Sequence, residues 1–564
     1  MSMDKGTFEA LVPSRFITFT FPNPSHSTTT TATHHHLHTQ LLRVAVLDSP
    51  NQPTTTNPPR IAAMIVPTHR ETDWIFSTDT GHLQLILNSA EISRLILIGN
   101  LPIDSHPTIY TRPISIDPTL QSKLAESLTP LLLALSPKSA FKYGLPEIPF
   151  LGYEDDVIRS VIVERCVGDC VGEMLIEDVE LEGKREFQRR LRFKRMPNLI
   201  QTQIRIIPNA SLDSVNLGDV EFGLDMASLV HPYLTPMVAS LSLIGSYLEE
   251  RIRGGFRPKA LCLGVGGGAL LTFLNNQLGF EVTGLEADEI VLNIAKKHFG
   301  LQDSKYVRFC VGDGIEFVEK LAGQYRKPNC DCVDNGCCLD NVDCLDAKFD
   351  VIMVDLDSSD AGMGIMAPPL EFVGKSVLLA ARLVLSEHGI LVINVIPPSR
   401  SFYETLIHKF QEFFEELYEI DVGNGENFVL IATALPIGTA SIDYENSFLS
   451  KLKLGSRLRN LQVMANNRNR IAEYKTHTQH PTTYAKSTGP YLAILVHKAS
   501  STTGFGTRIH TDQITIEQLI AMLRRGKVIG TCKVFVEWGV DALVRILIYA
   551  NSHSQLYAQH LMGR

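Results

Sequence analysis

The segment that most constrains the fold of this chain is a glycine-rich run behind an apolar stretch near its middle. Residues 259–263 are apolar enough for a buried strand, and three alternating glycines follow them: Gly264, Gly266 and Gly268. Glycine lets the backbone turn tightly and lets a ligand approach without a Cβ in the way. Glu286 ends a second apolar strand about 20 residues further on, where a carboxylate can accept hydrogen bonds from ribose hydroxyls. The spacing predicts a site for an adenosine-containing cofactor.

Strands and helices continue to alternate after Glu286, which predicts a parallel sheet covered on both faces. The predicted elements are helix 288–299, strands 307–311 and 349–355, a helix at about 370–385, strand 390–396 and helix 402–414. Ligands of such sheets gather at the carboxyl ends of the strands. We therefore expect the glycine loop, Glu286, Asp313 and Asp355 along one edge of the sheet.

The end of this region separates two classes of cofactor. Apolar strands 417–422 and 428–435 flank a polar Gly/Asn turn, so they form a hairpin whose last strand is antiparallel. A parallel sheet closed by such a hairpin is typical of S-adenosylmethionine-dependent methyltransferases, and nicotinamide dehydrogenases normally lack it. We predict an α/β fold of the class I methyltransferase (Rossmann-like) type, with a seven-stranded sheet and an antiparallel closing hairpin.

Two further regions precede this sheet. Residues 172–207 alternate between polar and apolar as strands do, which predicts a β-rich hairpin platform, and apolar strands 41–47, 61–66 and 95–98 predict a smaller N-terminal module. A helix at about 233–252 leads into the sheet. The expected domains are a partly disordered segment 1–60, a small α/β module 61–145, the platform 146–215, the cofactor domain 216–440 and a divergent tail 441–564, with helix 516–524 and strand 534–538.

Composition narrows the classes of partner. A net charge of −9 argues against a nucleic-acid surface and suits a basic protein substrate. The sequence has no run of roughly 18 consecutive apolar residues and no apolar signal core, so we expect no membrane span and no secretion. We expect a cytoplasmic protein with reduced cysteines, and a homodimer is a candidate assembly.

Two clusters of potential metal ligands are predicted to be a disordered spacer and a solvated loop. The histidines at 34–36 and 38 lie in a Thr-rich, low-complexity stretch, where a disordered spacer is the simpler interpretation. Five of the ten cysteines crowd an acidic insertion at 330–344, and a metal or redox role is the alternative to a solvated loop. Their Cys-x-Cys and Cys-Cys spacing lacks the paired Cys-x-x-Cys of zinc knuckles, so we predict no metal site.

Several stretches resemble one known family over residues 41–434. They are Met64-Ile-Val-Pro-Thr-His-Arg-Glu-Thr-Asp-Trp-Ile-Phe, Ile148-Pro-Phe-Leu-Gly, Asn198-Leu-Ile-Gln-Thr, the glycine loop, Phe349-Asp-Val-Ile-Met-Val-Asp-Leu-Asp-Ser-Ser-Asp and Gly362-Met-Gly-Ile-Met-Ala-Pro-Pro-Leu-Glu-Phe-Val. They are similar to the C-terminal half of the methyltransferases that modify translation elongation factor 1-alpha, relatives of spermidine synthase. That family usually carries a second, lysine-directed domain. Because the chain has one glycine loop, we expect that domain to be missing and only methylation of the N-terminal α-amine to be implied.

The residues then take the following expected roles. Gly264, Gly266 and Gly268 shape the turn around the methionine portion of S-adenosylmethionine, and Glu286 holds the ribose. Asp313, beside Gly314, accepts from the adenine amino group, with a helix N-cap as the alternative.

Methyl transfer needs alignment and an acceptor for one proton, so a carboxylate that orients the amine suffices. Asp355 is the first candidate. Asp357 is the second, although Asp357 or Asp360 can instead cap the following turn.

Two alternatives remain open. An aminopropyltransferase of the spermidine synthase type shares the fold, but it binds a dication between carboxylates. This chain has Gln201 and Arg205 after the platform where acids are expected, and His231-Pro-Tyr233 in a later element. Arg205 near a dication is unfavourable, whereas Gln201 remains a candidate cofactor contact. A catalytically silent scaffold would keep the same glycine loop.

Overall fold

The computed structural model describes residues 6–24, 41–51, 58–89, 91–101, 109–113, 118–153, 155–183, 186–209, 217–325, 348–358, 367–422, 427–436, 447–455, 492–498, 532–538 and 543–549. The chain divides into two compact units after Leu224. The five finer domains expected from the sequence stay a prediction. The His-rich stretch, Asp360, the Cys-rich insertion and the helix expected at 516–524 lie outside the described residues.

The first unit contains two sheets. Its elements are β1 (Phe16–Pro22), β2 (Leu41–Asp48), β3 (Ile61–Ile65), α1 (Trp74–Ser77), α2 (Asp79–Asn88), β4 (Arg94–Asn100), β5 (Ile109–Thr111), α3 (Pro118–Ala134), a 3-10 helix (Lys138–Phe141), β6 (Phe150–Leu151), β7 (Val157–Gly168), β8 (Gly172–Leu181), β9 (Glu186–Phe193), β10 (Ile200–Pro208) and β11 (Phe222–Leu224). One sheet has the order β1-β2-β4-β3-β6, and the platform sheet has the order β11-β10-β9-β8-β7-β5. Strands β1, β5, β6, β7 and β11 were not predicted.

A buried ion cluster explains the first family motif, residues 64–76. Asp73 caps α1 and accepts from Arg70 at 2.6 Å and from Arg192 of β9 at 3.1 Å. Arg192 also lies 2.9 Å from Glu177 of β8. Burial alone would raise the pKa of Asp73, but the charges of Arg192 and Arg70 outweigh it and lower the pKa. The motif therefore ties the N-terminal module to the platform sheet.

The second unit carries the predicted sheet. Its elements are α4 (Leu234–Ala239), a 3-10 helix (Ser240–Ile244), α5 (Gly245–Arg253), β12 (Lys259–Leu263), α6 (Ala269–Asn276), β13 (Glu281–Glu286), α7 (Glu289–His298), β14 (Val307–Val311), α8 (Gly314–Tyr325), β15 (Phe349–Val354), a 3-10 helix (Leu370–Val373), α9 (Lys375–Val384), β16 (Leu385–Val395), α10 (Arg400–Gln411), β17 (Glu416–Asp421), β18 (Phe428–Thr433), α11 (Ser447–Gly455), β19 (Leu492–Lys498), β20 (Cys532–Trp538) and β21 (Leu543–Tyr549).

The strand order confirms the predicted seven-stranded sheet and its closing hairpin. It runs β14-β13-β12-β15-β16-β18-β17, with β12 to β16 parallel to one another and β18 antiparallel to both neighbours. Three strands of the tail continue the sheet beyond β17 in the order β21-β20-β19. Strand β20 confirms the strand predicted at 534–538.

The sheet is buried on both faces, which explains its near-continuous apolar strands. Because side chains alternate along a strand, Ala260 and Cys262 of β12 belong to one core, which also contains residues of α4 to α7 and α11. Leu261 and Leu263 belong to the other core, with residues of α8, α9 and α10. Among the described residues, none of the helices is both long and apolar enough to cross a membrane.

Two predicted helices are broken. The helix expected at 370–385 is a 3-10 turn and α9, separated by Gly374 with the extended backbone angles φ −66° and ψ 144°. Strand β16 already begins at Leu385, so His388 and Gly389 lie within it. The helix expected at 233–252 consists of α4, a 3-10 segment and α5. Apolar periodicity fixes the buried face of such a segment but not the continuity of its hydrogen bonds.

Candidate active site

The glycine loop makes the tight turn that its sequence predicts. Gly264, Gly266 and Gly268 all have positive φ angles, of 86°, 52° and 79°. A Cβ on Gly264 would lie 2.2 Å from the carbonyl oxygen of Asp355, and one on Gly268 would lie 2.4 Å from a methyl carbon of Leu301. The loop therefore requires glycine both for its backbone angles and for its close packing. Its contact with a methionine portion stays a prediction.

Glu286 lies at the end of β13, and its carboxylate contacts the glycine loop. Oε2 accepts hydrogen bonds of 3.1 Å from the backbone amides of both Val265 and Gly266. Burial raises the pKa of Glu286, and these backbone donors oppose that rise. Sequence reasoning assigned Glu286 to the ribose alone and missed its bond to the loop. The ribose contact stays a prediction, and the shaping of the loop is observed.

Asp313 is a helix N-cap, which is the alternative role that the sequence offered for this residue. Its Oδ1 accepts from the backbone amides of Ile315 at 2.7 Å and Glu316 at 3.0 Å, so Asp313 caps α8. Gly314 is the first residue of that helix. Asp313 is exposed at the carboxyl edge of the sheet. An adenine contact by Asp313 or Gly314 stays a prediction.

Asp355 follows β15 and is hydrogen-bonded at both carboxylate oxygens. The Tyr233 hydroxyl donates to Oδ2 at 3.0 Å, and the side-chain amide of Asn394 donates to Oδ1 at 3.0 Å. Burial raises the pKa of Asp355 to about 6, against the opposing effect of these two hydrogen bonds. The nearby charge of Asp357 contributes to this rise of the pKa. Asp355 is thus a carboxylate held in place and able to gain or lose a proton near neutral pH.

Two partners of Asp355 were not predicted as site residues. Tyr233 appeared in the sequence only as part of an element that departs from spermidine synthase. Asn394 is the one polar residue in the apolar run 390–395 of a strand buried on both faces. A single carboxamide in such a strand could have identified Asn394 as a site residue from the sequence, because a buried polar group needs a hydrogen-bonding partner.

Gln201 lies on β10 in the first unit, half-buried. Its contact with a cofactor stays a prediction. The other predicted site residues, which are the glycine loop, Glu286, Asp313, Gly314, Asp355 and Asp357, all lie in the second unit, at or just beyond the carboxyl ends of β12 to β15.

These features define a class of protein. The parallel sheet closed by an antiparallel hairpin, with a left-handed glycine loop after one strand and an acidic residue ending the next, is the class I methyltransferase fold.

Within this class the chain is similar to proteins named eEF1A lysine and N-terminal methyltransferase. The Xenopus laevis protein is 26% identical over 390 residues, which are 65% of this chain and 50% of the relative. The Homo sapiens protein is 25% identical over 417 residues, 69% of this chain and 53% of the relative. The resemblance inferred from the motifs is therefore confirmed, and the chain spans about half the length of the curated relatives it matches. No protein-family model matches the sequence.

A solved structure, human methyltransferase-like protein 13 in complex with SAH, is also similar. It is 22% identical with a TM-score of 0.32, and the match covers 42% of this chain and 97% of that chain.

Proposed function

We propose that this chain is an S-adenosylmethionine-dependent protein methyltransferase that acts on the N-terminal α-amine of translation elongation factor 1-alpha. The observation that carries the proposal is the packing of the glycine loop against Asp355. The Cα of Gly264 approaches the Asp355 carbonyl so closely that no Cβ fits between them. The backbone of Asp355 therefore packs directly against the glycine loop that would bind the donor, and the Asp355 side chain is a candidate proton acceptor next to that loop.

The residues present suit the donor. The three glycines with positive φ angles form the tight turn after β12 that such a donor requires, and Glu286 is the carboxylate suited to the ribose hydroxyls. When bound, S-adenosylmethionine supplies a methyl group on a sulfonium, which an amine nitrogen attacks while the carbon–sulfur bond breaks. Asp355 orients that amine by hydrogen bonding and takes up the proton that the nitrogen loses. Asp357 adds negative charge that stabilises the ammonium group formed when the nitrogen accepts the methyl group.

An α-amine is a better acceptor for this site than a lysine. With an ordinary pKa of about 7.7–8.0, roughly a tenth of α-amines are neutral at pH 7. A lysine with a pKa of about 10.4 is neutral in fewer than roughly one molecule in a thousand. Asp355, with its pKa of about 6, is a weak base that suits the α-amine.

The names of the relatives supply the protein substrate for this proposal. Because this substrate is a translation factor, we also propose that the reaction takes place in the cytoplasm. The homodimer stays a prediction.

The test is incubation of the purified chain with methyl-labelled donor and an N-terminal peptide of elongation factor 1-alpha. We expect label on the first residue, none on the N-acetylated peptide, and at least about a hundredfold loss of turnover in Asp355→Asn with donor affinity retained. No heat on titration with S-adenosylmethionine would identify a silent scaffold. Product formed from the decarboxylated donor and putrescine would identify an aminopropyltransferase.

A further inference from the structure

Two buried carboxamides lie behind Asp355. Asn394 is 3% exposed within β16, and Asn427, directly before β18, is 8% exposed. The antiparallel register pairs Asn394 with Val429, so Asn427, two residues before Val429, is a diagonal neighbour of Asn394 on the same face. Buried carboxamides are costly unless they are hydrogen-bonded. Two carboxamides in a buried part of the sheet are therefore expected to have specific hydrogen-bonding partners.

The two side chains form a directed chain of hydrogen bonds. The Asn427 side-chain amide donates to Oδ1 of Asn394 at 3.3 Å, and the Asn394 amide donates to Oδ1 of Asp355 at 3.0 Å. A carboxamide has one accepting and one donating end. With its oxygen engaged by Asn427, Asn394 must turn its amide towards Asp355. The flipped orientation would oppose two oxygens at one end and two amides at the other.

We propose that Asn427 and Asn394 are positioning residues, in which Asn427 fixes the orientation of the Asn394 carboxamide and Asn394 fixes the carboxylate of Asp355 for the acceptor amine. The inference rests on the proposed function, because it takes Asp355 to be the group that receives the amine. It gives the closing hairpin a role in the reaction as well as in the sheet.

The electrostatic surroundings of Asp355 agree with this role. The Asn394 hydrogen bond stabilises the carboxylate and lowers its pKa, against the burial that raises it. The titratable groups that influence Asp355 or are influenced by it are Asp357 in the same loop, Tyr233 before α4 and Cys262 on β12. Loss of the Asn394 amide should therefore raise the pKa of Asp355, because one of the two hydrogen bonds that oppose burial and the charge of Asp357 is removed.

The test compares Asn394→Ala, Asn427→Ala and Asn427→Asp with Asn275→Ala as the control. Asn275 donates to the carbonyl of Phe280 in the same unit and is not a member of the hydrogen-bonded chain from Asn427 through Asn394 to Asp355. We expect turnover to fall about tenfold to a hundredfold in Asn394→Ala, with donor affinity unchanged. Asn427→Ala should lose less, roughly threefold to tenfold. Asn275→Ala should keep wild-type turnover.

Asn427→Asp gives the sharpest contrast. Aspartate has nearly the shape of asparagine, so a packing role predicts a smaller loss than in Asn427→Ala. A carboxylate at 427 cannot donate to Asn394, and it would draw the Asn394 amide away from Asp355. The positioning role therefore predicts a larger loss of turnover in Asn427→Asp than in Asn427→Ala, and the opposite order would overturn it.

A readout without turnover separates this inference from the proposed function. The carboxyl carbon-13 resonance of Asp355, assigned by its absence in Asp355→Asn, should titrate near pH 6 in the wild-type protein. Its midpoint should rise by about one pH unit in Asn394→Ala and by less in Asn427→Ala. Unchanged midpoints in both variants would refute the positioning role, even in an active enzyme. Shifted midpoints in a protein that methylates no peptide would refute the proposed function alone.

Discussion

The Tyr233 hydroxyl donates a hydrogen bond of 3.0 Å to Oδ2 of Asp355, a residue 122 positions away in the sequence. Burial and the negative charge of Asp355 raise the pKa of Tyr233 well above its ordinary value. We therefore expect the Tyr233 hydroxyl to stay protonated at neutral pH and to act as a hydrogen-bond donor rather than as the base. It orients the carboxylate, which leaves Asp355 as the proton acceptor in the proposed reaction.

Replacing Tyr233 with phenylalanine tests this division of roles. Tyr233→Phe removes one hydrogen bond to a charged group, so we expect turnover to fall by about tenfold. Affinity for the donor should not change, because Tyr233 contacts the carboxylate rather than the glycine loop. Steady-state kinetics and calorimetry measure the two effects separately. A complete loss of activity would instead point to Tyr233 as the proton acceptor.

The rate should depend on pH in two steps. The reactive state needs a neutral α-amine, with a pKa of about 8, and an ionised Asp355, with a pKa of about 6. A logarithmic plot of kcat/KM should therefore rise with a slope of about one between pH 6 and pH 8 and about two below pH 6. In Asp355→Asn the residual activity should keep a slope of about one throughout. A slope of about one below pH 6 in the wild-type enzyme would exclude Asp355 as the base.

The raised pKa of Asp355 also has a consequence for stability. The folded protein binds this proton more tightly than the unfolded chain, so the group lowers the free energy of unfolding as pH rises from about 4 to about 6. Asp355→Asn should stabilise the protein at pH 7 by up to about 3 kcal/mol and by little at pH 4. Urea unfolding at both pH values measures this difference. The exposed Asp303 offers a control, since Asp303→Asn should change stability by less than about 0.5 kcal/mol at either pH.

Alanine at Gly264 should be more damaging than alanine at another glycine with a similar backbone. Gly255 has a φ of +83° and open space around it, so Gly255→Ala should cost roughly 1–2 kcal/mol of strain. Gly264→Ala adds a clash with the Asp355 carbonyl to a φ of +86°. We expect at least about 3 kcal/mol of lost stability and no measurable donor binding. If thermal unfolding shows equal losses of stability in Gly255→Ala and Gly264→Ala, the close approach of Gly264 to the Asp355 carbonyl does not contribute to stability.

Glutamine and alanine at Glu286 separate its two roles. Glu286→Gln keeps an oxygen for the amides of Val265 and Gly266, so the loop and the melting temperature should be nearly retained. Donor affinity should still fall by about tenfold, because the charged acceptor is lost. Glu286→Ala should lower both stability and affinity. If Glu286→Gln binds the donor as well as the wild-type protein, Glu286 does not hold the ribose.

Strands β12 to β18 of the second unit could be predicted within a few residues, because runs of apolar residues bounded by glycine and polar turns leave few alternatives, whereas β19 and β21 of the tail were not predicted. Helix continuity could not, since it depended on single positions such as Gly374. The hydrogen-bonding partners of Asp355 were also beyond reach. Tyr233 directly precedes α4 and Asn394 lies on β16, and periodicity does not say which distant polar groups meet.

The bond between Glu286 and the two loop amides has one further effect. The turn is already fastened by the protein's own side chain, so little chain entropy remains to be lost when a nucleoside arrives. The nucleoside should then bind to an already rigid loop. Crystal structures determined with and without ligand should superpose closely from Gly264 to Gly268.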